Sequence, residues 1–146
     1  MAKRSLLLGI LVLAFGIGAC VSSGSNVDSA LLGTWVRTTI DSLWGLEEIT
    51  FEKRNWQNSF DGINNAKGTY TIEGNELTRK RTHYYVPERK SWSNLSDIEA
   101  FGKRQGWTAQ EITERFSPTY IYSISNDGNM LTLTEKDGNI FTYTRK

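Results

Sequence analysis

Arg79, Arg81, His83 and Tyr85 occupy alternate positions in "ELTRKRTHYYV", residues 76 to 86. On one face of a strand they would present two guanidiniums, an imidazole and a phenol. Such donors suit an anion, because arginine can give two parallel hydrogen bonds to a carboxylate or phosphate. Arg37 shares parity with Trp35 in "GTWVRTTI", and Tyr122 adds a hydroxyl to the alternating run "TYIYSI". Catalysis has no comparable foothold. His83 is the single histidine and Cys20 the single cysteine. His-Glu-x-x-His, Gly-x-Ser-x-Gly and phosphate-loop patterns are all missing. The expectation is a non-enzyme with no catalytic residue, metal or cofactor. Its candidate ligand contacts are Arg37, Arg79, Arg81, His83, Tyr85 and Tyr122.

These side chains share an interior only if strands hold them in register. From Leu31 onward the apolar pattern has period two and is punctuated by turns. Strands are predicted in 33–40, 46–54 and 55–60, two more in 68–86, and three in 118–146. Asn126-Asp127-Gly128-Asn129 and Lys136-Asp137-Gly138-Asn139 are hairpin turns, because Asp-Gly tolerates positive φ. Eight antiparallel strands can close into an up-and-down barrel without free edges. Parity places Trp35, Ile49, Phe51, Tyr70, Ile72, Leu77, Tyr122, Ile124, Leu131, Leu133, Phe141 and Tyr143 inside, opposite a threonine-rich exterior. Arginines on that inner face would need carboxylates, water or an anionic ligand. A bulge would instead turn Arg79 and Arg81 to solvent.

Residues 91–116 lack strand alternation. Ser96-x-x-Glu99 and Thr108-x-x-Glu111 fit capping boxes, and Gly106 can end a helix. A helical insert between strands five and six is predicted. Ile98, Phe101, Trp107, Ile112 and Phe116 would face the barrel as a lid.

The N-terminus has a separate design. Lys3 and Arg4 precede an apolar run from Leu6 to about Ile17, then small residues, as in a secretory signal. A spanning helix would need roughly 20 apolar residues. Ile17-Gly18-Ala19-Cys20 resembles the bacterial lipobox, which implies cleavage before Cys20 and acylation of that residue, with chains such as palmitate. Residues 1–19 are then a signal peptide, 20–30 a lipidated cysteine with a Ser/Gly-rich tether, and 31–146 the folded domain. The implied location is the bacterial cell envelope, on the periplasmic or outer-membrane side. Loss of Lys3 and Arg4 leaves 15 basic against 16 acidic residues, a formal balance of −1. That balance lacks the basic footprint of a nucleic-acid binder.

"LLGTW", "EEITF", "GTYTIEGNELT" and "LTLTEKDGNIFTYTR" follow one another along the chain. Together they resemble small bacterial lipocalin-like domains of the calycin type. The resemblance implies an all-β, eight-stranded antiparallel barrel closed by Gly33, Trp35 and Arg145, with the guanidinium over the indole. It also implies a membrane-anchored protein that carries a small lipophilic ligand. The alternative is a barrel filled by its own side chains, serving as an inhibitor or assembly factor for another envelope protein.

Overall fold

Alternation between apolar and polar residues becomes strands β1 (Gly33–Arg37), β2 (Glu47–Glu52), β3 (Asn55–Phe60), β4 (Ile63–Glu73), β5 (Glu76–Val86), β6 (Ser91–Asn94), β7 (Thr119–Ile124), β8 (Met130–Thr134) and β9 (Ile140–Arg145). The structure is a computed structural model, and it describes residues 28–146 apart from Asp97. The expected signal segment, Cys20 and the tether up to residue 27 lie outside the described residues.

Neighbouring strands pair antiparallel from β1 through β5, then β5 with β7, β7 with β8 and β8 with β9. β9 returns to β1 through Trp35↔Arg145 and Arg37↔Tyr143. Eight strands therefore close a ring, and β6 is an additional arm on β5. The fold is an all-β closed barrel with two short helices, α1 (Ile98–Arg104) and α2 (Ala109–Phe116), between β6 and β7.

Three local departures from the sequence expectation have local causes. β1 ends at Arg37 because the Asp41 carboxylate accepts the amides of Leu43 and Trp44 and bends the chain. β4 begins five residues before Gly68, since Asp61 and Gly62 take positive φ and make a tight hairpin. Residues 91–94 are strand, although the helical insert was expected to start there. They pair back on β5 after the turn at Pro87–Arg89.

Every residue placed inside by parity joins the core or packs against it. Trp35, Ile49, Leu77, Leu131 and Leu133 are wholly buried. Leu31, Trp56, Ala66 and Tyr120 complete the cluster. Side chains thus fill the half of the barrel nearest Asp28.

α2 starts with the expected capping box: Thr108 Oγ1 accepts the Glu111 amide, and the Glu111 carboxylate accepts the Thr108 amide at 2.7 Å. Gly106 ends α1 at φ +75°, where its own amide reaches Lys103 O and the Trp107 amide reaches Gly102 O. Asp97, at the start of α1, is outside the described residues, and with it the expected cap from Ser96 and Glu99. Glu99 pairs with Lys103 at 2.6 Å.

Candidate ligand-binding site

The position of Arg79 and Arg81 follows from their partners on β4. Leu77 lies opposite Ile72 and Arg79 opposite Tyr70, both interior residues. Residues directly opposed in antiparallel strands share a face. Arg81 lies opposite Gly68, which sits so close to β5 that a Cβ there would stand 1.8 Å from Lys80 O. The register then slips by one residue, and Thr82 is the extra one.

That bulge divides the strand's chemistry. Arg79 and Arg81, before it, stay on the inner face. His83, after it, lies opposite Lys67 on the outer face. Tyr85 packs edge-on against Trp92 at 5.3 Å, and Lys67 Nζ lies 4.5 Å over the same indole. His83 and Lys67 line an outer depression with Thr50, Glu52 and Gln57. Tyr122 stands at the opposite end of the barrel, where its hydroxyl donates to Asp28 at 3.0 Å. The structure thus brings Arg37, Arg79 and Arg81 together and separates His83, Tyr85 and Tyr122 from them.

The three arginines meet few partners. Arg79 is 9% exposed, and its Nη2 donates to the Tyr120 hydroxyl at 2.7 Å. Its guanidinium lies 5.0 Å over Trp56 and 4.7 Å over Tyr120. Arg37 lies over Phe141 and Arg81 over Phe116. Among the described residues, Glu47 is the buried carboxylate, 6% exposed. Its oxygens accept Asn58 Nδ2 at 2.8 Å and the Tyr143 hydroxyl at 2.9 Å, and Arg37 Nη1 stands 3.9 Å away. Buried Nε atoms of Arg37, Arg79 and Arg81, together with Arg79 Nη1, have no hydrogen-bond partner among the described residues.

Electrostatics follow this imbalance. Burial disfavours the Arg79 cation, but Tyr120, Tyr143 and Glu47 outweigh it and hold its pKa above the usual value. Burial and the like charge of Arg79 push the Arg81 pKa down, against smaller support from Tyr120 and Glu47. Burial, then Glu47, raises the Tyr143 hydroxyl. Beside the arginines is a cavity of about 190 Å³ lined by Arg79, Arg81, Glu114, Arg115, Phe116 and Tyr120, among others. Its floor is polar and its roof is α2. Among the described residues, no three His, Cys, Asp or Glu side chains are placed to hold a metal ion.

The far end is closed by different chemistry. Arg145 lies 4.2 Å over the Trp35 ring, and its nitrogens donate to the carbonyls of Ala30, Leu32 and Gly128. Gly33 has φ +119°, and a Cβ there would stand 3.1 Å from Arg145 Nη1.

Sequence reasoning missed Glu47, Asn58, Trp56 and Tyr120. Glu47 was detectable, because it shares parity with Ile49 and Phe51. Tyr120 likewise shares parity with Tyr122 and Ile124. No protein-family model, curated protein or solved structure matches the chain.

Proposed function

We propose that this is a lipocalin-like envelope lipoprotein, anchored through Cys20, whose barrel binds a small amphipathic anion at Arg79 and Arg81. A closed eight-stranded barrel is compatible with ligand binding. The observation that carries the reading is the group of buried guanidinium nitrogens without partners beside a cavity. An unpartnered buried donor costs about 1–3 kcal/mol, and more when charged. A bound carboxylate or phosphate would satisfy several at once. The lipobox-like Ile17-Gly18-Ala19-Cys20 supports the anchor.

The test is native mass spectrometry of the full chain extracted from membranes in a non-ionic detergent. The expected result is a stoichiometric extra mass that leaves on gentle activation and is lost in Arg79→Met and Arg81→Gln. A clean mass that persists after exposure to lipid extract overturns the reading. Incorporation of labelled palmitate that survives Cys20→Ala would overturn the anchor.

One observation favours a second reading, an interaction module for an envelope protein. Ile40, Leu43, Trp44, Ile63 and Ile140 are 58 to 85% exposed. They lie in or beside the β1–β2, β3–β4 and β8–β9 connections, at the barrel end away from Asp28. Exposed apolar side chains gathered on one end suit a protein contact.

A further inference from the structure

Arg81 and Phe116 belong to two spaces at once. One is the polar cavity beside Arg79. The other is a groove of about 460 Å³ between the far half of β5, β6 and the helical pair, lined also by Tyr84, Asn94, Leu95, Ser96, Phe101 and Arg104. The groove runs from buried cations to half-exposed aromatic and aliphatic side chains.

The barrel wall is open where the two spaces meet. β5 pairs with β7 over Glu76–Thr78 and with β6 over His83–Val86. Between them, no strand covers the edge of Arg79–Thr82, which holds two single bonds, from the Arg79 amide to Pro118 O and from the Leu95 amide to Thr82 O, and leaves Lys80–Arg81 uncovered. The α1–α2 hairpin lies over this slot. It is braced by Phe101 on Trp107 and Trp107 on Phe116.

Resting on the reading that the arginines receive an anion, we infer that the ligand is a single-chain amphiphile. Its anionic head sits at Arg79 and Arg81, and its one acyl chain leaves sideways through the slot along Leu95, Phe101 and Phe116. Charge complementarity fixes the head at Arg79 and Arg81, whose buried nitrogens lack partners; beyond them the groove offers Leu95, Phe101 and Phe116 to the chain, with exposed Asn94, Ser96 and Arg104 beside them. The apolar half of the barrel is already filled, so the chain cannot run down the lumen. Each methylene laid in the groove strengthens binding roughly fourfold until the groove is full.

The test uses the full chain in nanodiscs and a dodecanoate carrying a diazirine near its methyl end. Labelled peptides are mapped by mass spectrometry after competition with dodecanoate, butyrate or dodecanol. The expected result is saturable labelling of the segment from Leu95 to Phe116, displaced about tenfold or more better by dodecanoate than by either competitor. A Leu95→Ser, Phe101→Ser variant with an unchanged melting temperature should lose most of this labelling. That control separates the groove from partition into the bilayer.

Butyrate competing as well as dodecanoate overturns the acyl-chain class and leaves the anion reading standing. Dodecanol competing as well as dodecanoate overturns the anion reading, and this inference with it. Labelling that does not saturate, or that persists in the folded variant, overturns the placement of the chain in the groove.

Discussion

Arg145 and Trp35 are directly paired across β9 and β1, and the guanidinium covers the indole at 4.2 Å while donating to three backbone carbonyls. One side chain thus joins the last strand, the first strand and the segment that leads into it. Arg145→Ala removes a cation–π contact and charged hydrogen bonds, and should cost about 2–4 kcal/mol. Arg145→Lys keeps the charge without the planar fork and should recover only part of this. Urea unfolding of both variants checks the order.

Arg79 shows the opposite sign. Burying a charge costs more than burying an apolar side chain of similar volume, and without Arg79 the Glu47 carboxylate still faces Arg37, so no buried charge is left alone. Arg79→Met should therefore leave the unliganded barrel within about 1 kcal/mol of the parent, or more stable, while abolishing retention of the ligand. Thermal unfolding and native mass spectrometry on one sample separate the two effects. A large loss of stability would make Arg79 a structural residue.

Glu47 should behave differently again. Glu47→Gln leaves Arg37 and Arg79 without their buried counter-charge and should cost about 3 kcal/mol. Added dodecanoate should raise the melting temperature of this variant more than that of the parent, because the anion replaces part of the lost charge. Equal shifts in the two proteins would remove Glu47 from the electrostatics of the site.

Alkaline pH tests the end nearest Asp28. Burial, and then the hydrogen bond and charge of Asp28, move the Tyr122 hydroxyl from its ordinary 10.0 to about 12. The folded state therefore holds that proton more tightly than the unfolded chain does. The resulting stability is fully present below pH 10 and is lost as pH rises toward 12. Tyr122→Phe should flatten the fall in stability across this window, followed by unfolding at stepped pH.

The lid can be loosened alone. Thr108→Ala removes the cap of α2 and should cost about 1 kcal/mol locally. Hydrogen exchange should quicken in residues 109–116 and stay unchanged in β1, β8 and β9.

Period two was a reliable guide where a strand pairs with both neighbours without a bulge. Parity sorted β1, β2, β8 and β9 correctly, because a barrel interior admits one face of each strand. It failed along β5, where Thr82 adds a residue that alternation cannot reveal. The cause is Gly68 on β4, whose missing side chain lets the two backbones press together. Asp61-Gly62 was overlooked although it is the same hairpin signal that located the later turns. β6 is four polar and aromatic residues whose strand state depends on β5 alone, so its own sequence carries little sign of it. The cluster of Glu47, Asn58 and Tyr143 joins three strands, and only closure of the ring brings them together.

The pairing of β1 with β9 also has a consequence for how the molecule is made. Arg145 reaches a carbonyl 113 residues earlier in the chain. Until that last strand is available, β1 and β8 each present an unpaired edge, and exposed edges invite association with other chains. Contacts so distant in sequence also make folding slow. During synthesis the ring cannot shut before Arg145 has emerged, so until then the nascent chain stays threadable.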